Sequence, residues 1–171
     1  MYKRQVQFVS ADTGEVTVTS LLTFTSANWD TPQNVTVTGV DDDIVDGSVT
    51  STITVAINDG SSDDNFDAVA DQTVSVTTTD DDVAGFTIAE TDGSTSVTEA
   101  GSTDLFTVVL NAQPTTDVVL SISSADTGEA TVTSSLTFTS ANWDTPQNVT
   151  VTGVDDDIID GSQISTSTIS I

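Results

Sequence analysis

The chain has no cysteine and no histidine, and two basic residues against 27 acidic ones in 171 residues. Without cysteine there are neither disulfides nor thiolate metal sites. Without histidine the commonest general base and the commonest transition-metal ligand are both missing. No apolar run approaches the ~20 residues of a membrane span. Both basic residues, Lys3 and Arg4, fall in the opening MYKRQ. That stretch fits nothing else in the chain, so residues 1–5 read as a leader that is not native to the repeat described below. The rest of the chain then holds no side-chain cation to neutralise its carboxylates. A net charge of -25 argues against nucleic acid and anionic membrane surfaces as partners.

What is present is largely Val, Ile, Leu and Phe interleaved with Thr and Ser. Ser10–Ser48 recurs as Ser124–Ser162, an offset of 114 residues, with differences at Val16/Ala130, Leu21/Ser135 and Val45/Ile159. After a two-residue insertion the match resumes, from TSTI at 50–53 to TSTI at 166–169. The repeat predicts a unit whose role is to be repeated, continuing in both directions beyond this chain. It also weighs against an enzyme, since a catalytic domain rarely needs an adjacent copy of itself. Paired carboxylates can hydrolyse glycosides, but no deep-pocket signature accompanies these.

Apolar residues alternate with period two. Phe106, Val108 and Leu110 do so, as do Val118, Leu120 and Ile122. Leu136 with Phe138, Val149 with Val151, Ile53 with Val55 and Ile57, and Val74 with Val76 follow the same rule. One face of each strand is therefore apolar and the other carries hydroxyls. Turn chemistry such as SADTGE, SANWDTPQN and NDGSSDDN separates them. No window has a helical period. Roughly seven short strands per unit predict an all-β fold: Ig-like antiparallel β-sandwich modules in tandem. The boundary falls near Asp82 and Val83. It gives one partial module over 6–82 that lacks its opening strands and another over 83–171 that lacks its closing ones. Trp29 and Trp143, in SANWDTPQ turns, read as caps on the ends of sandwich cores. Used as recognition residues instead, they would make each module a carbohydrate- or protein-binding sandwich.

The carboxylates are not spread evenly. Asp41, Asp42, Asp43 and Asp46 follow one strand, and Asp155, Asp156, Asp157 and Asp160 repeat them. Asp80, Asp81 and Asp82 stand at the module boundary, and Glu99 follows a strand in SVTEAGS. All fall at strand ends, where the loops of a sandwich converge. Sites rich in carboxylate and free of His and Cys select hard ions, Ca²⁺ above Mg²⁺. The spacing of an EF-hand is absent, so any site is assembled from separate loops. Asp59, Asp63, Asp64 and Asp67, in NDGSSDDNFD, form a weaker candidate because Asp and Asn also suit plain turns.

The order of these elements resembles the Calx-beta family: a Glu after an early strand (SVTEAGS), a strand ending in VTGVDDDIIDGS, and a closing TTTDDDV. LTFTSANWDTPQNVTVTGVDDD is similar to the Calx-beta-like repeats of very large bacterial surface and secreted adhesins. The resemblance implies Ca²⁺ at one end of each sandwich. In the first module it points to Asp41, Asp42, Asp43, Asp46 and Asp80–Asp82 as ligands. In the second it points to Glu99, Asp155, Asp156, Asp157 and Asp160. A further ligand before the LTF strand falls on Asp12 or Glu15, and on Asp126 or Glu129. Asp160-Gly161-Ser162 departs from the family's acid-rich ending. The role implied is a calcium-binding extender of an extracellular adhesin-like protein. Its partners would be neighbouring repeats, with any cell-surface or glycan target met by other domains.

Overall fold

The structure, a computed structural model, describes residues 4–159 and 161–171. Those residues contain thirteen strands, three short 3-10 turns and no α-helix. The alternation of branched or aromatic residues with Thr and Ser sets this outcome, because it suits a pleated surface and gives no helical stripe. The chain divides into two compact units, residues 1–42 with 46–81, and residues 43–45 with 82–171.

The first unit holds a four-stranded antiparallel sheet. β1 (Arg4–Ser10) and β5 (Val49–Ile57) lie at its centre, with β3 (Leu21–Phe24) beside β1 and β6 (Gln72–Thr78) beside β5. β2 (Val16–Val18) pairs with β4 (Val37–Gly39) in a second, two-stranded sheet. Arg4 and Gln5 belong to β1, opposite Phe24 and Thr23. They occupy the strand positions of Val118 and Val119 in the repeat, and the Arg4 guanidinium lies 3.7 Å from the centre of the Phe66 ring. Residues 1–3 of the expected leader lie outside the described residues.

In the second unit, β7 (Phe86–Glu90), β8 (Thr103–Leu110), β12 (Gln147–Gly153) and β10 (Ala130–Val132) form one sheet in the order β10-β12-β8-β7. β11 (Ser135–Phe138), β9 (Val118–Ser124) and β13 (Ser167–Ser170) form the other, with β9 central. Both sheets feed one core. Phe106, Val108 and Leu110 come from β8, Leu120 and Ile122 from β9, Leu136 and Phe138 from β11, and Val149 and Val151 from β12. These are the inward residues that the alternation predicts.

Copy for copy, the shared strands pair alike. Leu22 faces Val6 as Leu136 faces Leu120, and Val16 faces Gly39 as Ala130 faces Gly153. The insertion before β13 changes which residues lie where. Ser10 faces Ile53, but Ser124 faces Ser167. Ile169 lies opposite Ile122 and so takes the place of Val55, not of Ile53. A shift of two residues keeps every side chain on its own face, so the sheet accepts it.

Candidate metal centre

The first unit gathers its carboxylates around Glu15. Local turns set this up. Asp12 Oδ1 accepts the Gly14 N–H at 3.0 Å, closing an Asx turn just before β2. That turn holds the Asp12 carboxylate and sends the chain into Glu15, whose carbonyl accepts the Val40 N–H at 2.9 Å and the Thr78 hydroxyl at 3.1 Å. β4 and β6 are thus drawn to the same point. The acidic loop after β4 starts there.

Beside Glu15 stand Asp42 and Asp46, with one carboxylate oxygen from each of the three residues within 4.8 Å of the others. Gly47, at φ 79°, turns the loop back, a left-handed conformation that glycine adopts without strain. Its N–H donates to Asp80 Oδ2 at 2.7 Å, which holds the segment after β6 against the loop. The Glu15 carboxyl is raised above its ordinary pKa, first by loss of hydration and then by the charges of Asp46, Asp12, Asp42 and Asp80. Ionising it adds like charge to a crowded site.

The donor set fits a hard cation. Oxygens that share a Ca²⁺ ion at ~2.4 Å are at most about 4.8 Å apart, and the triad meets that limit. Three carboxylates also leave coordination positions for carbonyls and water, as Ca²⁺ requires.

The expected ligands therefore sort unevenly. Asp42 and Asp46 come together, and Asp80 joins their electrostatic neighbourhood. Asp41, Asp43, Asp81 and Asp82 lie outside the triad. The Asp43 carbonyl accepts the Gln113 N–H at 2.6 Å, and Asp41 and Asp81 are exposed. β4 ends at Gly39, and the chain bends at Asp43, just past Asp42. Glu15 is the member that sequence reading left undecided against Asp12. The signal was the turn motif D-T-G-E, in which Asp12 is used by its own turn and Glu15 is carried past it.

In the second unit the same loop leads from β12. Asp156 Oδ1 accepts the Ile158 N–H at 2.6 Å, while Asp155, Asp156 and Asp157 are exposed. Asp160 lies outside the described residues. Glu129 repeats Glu15 locally, since Asp126 Oδ1 accepts the Gly128 N–H at 3.0 Å and the Glu129 carbonyl accepts the Val154 N–H at 2.9 Å. Glu99 lies in a tight turn, with the Gly101 N–H on the Thr98 carbonyl at 3.1 Å. The turn is anchored by Asp104, which accepts the Ser96 and Leu105 N–H groups, both at 2.7 Å. Those bonds, Ser96 first, lower the Asp104 pKa. Glu99 and Glu129 both line a groove of about 1060 Å³.

The NDGSSDDNFD loop follows turn chemistry. Asp63 Oδ1 accepts both the backbone and side-chain N–H groups of Asn65, at 3.1 and 2.7 Å. Among the described residues, none of its acids joins a metal-sized group.

Comparison with known protein families, with curated proteins and with solved structures returned no match. Among the described residues no helix is long and apolar enough to cross a membrane.

Proposed function

We propose that each unit is a Ca²⁺-stiffened structural repeat, an Ig-like sandwich of the Calx-beta kind, within a long extracellular adhesin-like protein. The observation that carries this reading is the convergence of Glu15, Asp42 and Asp46 from two separate strand ends, in a chain almost without cations. Glu15, Asp42 and Asp46 would hold the ion, with Asp80 beside them. Bound Ca²⁺ supplies the positive charge that the side chains lack. It would tie the loop after β4 to the entry of β2 and to the end of β6. Removing it would leave carboxylates that repel one another, so the loop would loosen. The near-identity of the repeats supports a spacer role more than a catalytic one.

The test is a thermal melt with Ca²⁺ and with chelator. The first unit should melt higher with Ca²⁺, because an ion that binds the folded form alone stabilises it by mass action. Affinity should lie near the ~10⁻⁴–10⁻³ M of extracellular modules. Identical melts would contradict the reading.

The alternative, a recognition module built on the Trp turns, draws on the exposed indole of Trp29. Trp143, in the same sequence, packs against the core. Its carbonyl accepts the Leu110 N–H at 3.1 Å. Beside β8 the Trp143 indole is half-buried against the core, which favours a capping role.

A further inference from the structure

We propose that Asp92–Gly93 is a modification site, a bond at which the chain isomerises to isoaspartate without an enzyme. Four Asp-Gly pairs occur in the sequence, at 46–47, 59–60, 92–93 and 160–161, and Ser follows each. On sequence alone they should react alike. Asp160 lies outside the described residues; the other three pairs differ in backbone. In this reaction the glycine backbone nitrogen attacks the side-chain carboxyl carbon of the aspartate. A C–N bond forms, the N–H proton and the carboxyl hydroxyl leave as water, and a cyclic succinimide results. Water then adds back to a ring carbonyl. Opening on the Cα side gives isoaspartate, whose main chain runs through Cβ and whose Cα carries the free carboxylate. Neither oxidant nor cofactor takes part, and mass and net charge are unchanged. The ring closes only after rotation about the aspartate Cα–C bond brings the glycine nitrogen to the side chain. Whatever restrains that rotation sets the rate.

At Asp46 the restraint is direct, because the Gly47 N–H donates to Asp80 Oδ2 at 2.7 Å. At Asp59 the turn is tied down on both sides. The Asn58 N–H donates to the Gln5 carbonyl at 2.9 Å, and the Ser62 N–H to the Asp59 carbonyl at 3.3 Å. The Ser62 hydroxyl also accepts the Gln5 N–H and donates to the Gln5 carbonyl, at 3.0 and 3.3 Å. Around Asp92 one turn bond is made, from the Ser94 N–H to the Thr91 carbonyl at 3.3 Å. Among the described residues the Asp92 carboxylate and the Gly93 N–H each go without a hydrogen bond. Asp92 is exposed. It stands at φ 55°, ψ 15°, and is the one non-glycine residue with positive φ among those described. A residue with a Cβ is strained in that conformation, and turning toward the ring relieves the strain. Asp92 is therefore the fastest of the three pairs to close, Asp59 the next and Asp46 the slowest.

The product would be felt locally. β7 ends at Glu90, opposite Phe106, and the Thr95 hydroxyl donates to Glu90 Oε1 at 3.1 Å across the turn. One extra main-chain carbon between Glu90 and Thr95 would loosen that end of β7 first. Neither step of the reaction involves Ca²⁺, so the test is run in chelator and stands apart from the metal reading. The whole chain is kept warm at mildly acidic pH, where the carboxyl hydroxyl leaves readily as water, both folded and in concentrated guanidinium. Isoaspartate is located over time by electron-transfer fragmentation of peptides from each sample. In the folded chain position 92 should convert at least about fivefold faster than position 46, the factor that the strain of a left-handed residue represents. Position 59 should fall between them. In guanidinium the three should converge. Conversion at 46 or 59 that matches or outpaces 92 in the folded chain overturns the proposal. So does a ranking that persists in guanidinium, since neighbouring residues rather than the fold would then set it.

Discussion

The same 39-residue stretch of sequence, with three substitutions, is folded twice in this chain, at 10–48 and at 124–162. It does not look the same in the two places. QNVTVTG is one seven-residue strand at 147–153, yet only its last three residues are strand at 33–39. Phe138 and Leu136 are buried, while their equivalents Phe24 and Leu22 are half-buried. Val151 is 6% exposed and Val37 is 39% exposed. The difference lies in what the neighbouring chain supplies. β8 pairs along β12 from Gln147 to Thr152, whereas among the described residues β4 pairs with β2 alone. A strand is thus a relation between segments more than a property of one, and burial follows from the partner.

The comparison can be broken most severely in the core. Phe138→Ala should cost the second unit ~3–5 kcal/mol, the usual loss for emptying a buried aromatic site. Phe24→Ala should cost clearly less, because its ring already meets solvent. Denaturant melts of the two variants should show the gap, and equal losses would mean that the pairing of β8 with β12 does not matter to this position.

Next in size is a pair of glycines. A Cβ on Gly153 would run into the Thr98 carbonyl, which is backbone and cannot swing away. At Gly39 it would meet the Thr78 methyl at 3.5 Å, an ordinary contact. Gly153→Ala should therefore cost about 1–3 kcal/mol through overpacking, whereas Gly39→Ala should be nearly neutral. Thr98 belongs to the segment that leads into β8, so the asymmetry has the same source as the burial difference.

A smaller effect concerns pH. Glu15 has a raised pKa in the folded form. Such a group favours the fold while it is protonated, and that contribution is lost as pH rises through the folded value. In chelator, the first unit should lose stability as pH climbs above the ordinary 4.5 of a glutamate. Glu15→Gln should reduce that slope, since Asp67 is raised as well, and Ca²⁺ should reverse its sense. Thermal melts between acid and neutral pH would read this directly.

The mildest test is optical. Trp29 is 64% exposed and Trp143 is half-buried. Acrylamide should quench Trp143→Phe, which keeps Trp29, more strongly than it quenches Trp29→Phe. The polar turn that carries each Trp is the same in both copies. Asn142 Oδ1 accepts from the Thr139 N–H and hydroxyl at 2.6 and 3.0 Å, and Asn28 does the same with Thr25 at 2.6 and 2.9 Å. A change in quenching would therefore report on cover alone.

These contrasts show what could be read from the sequence. Alternation identified the inward residues of β8, β9, β11 and β12, and the repeat identified which segments must pair alike. Turn chemistry placed the Asx and Asn-capped turns. The depth of burial could not be read, because it depends on strands distant in sequence. Nor could the choice among adjacent aspartates. Asp42 enters the triad and Asp41 and Asp43 do not, in a loop that bends at Asp43 and turns back at Gly47. Glu15 was legible only as an alternative to Asp12; what favours it is the meeting of β4 and β6 at its carbonyl.

The central claim is that Glu15, Asp42 and Asp46 form a specific cation site rather than a solvated acidic surface. Calorimetric titration of Ca²⁺ into the chain and into its Glu15→Gln variant, at physiological salt and with Mg²⁺ as the competitor, tests it most directly. A saturable Ca²⁺ event that Mg²⁺ displaces poorly, and that Glu15→Gln weakens by about tenfold or more, is the expected result. Indistinguishable titrations of the two proteins would show that the carboxylates act only as diffuse charge, and would contradict the account.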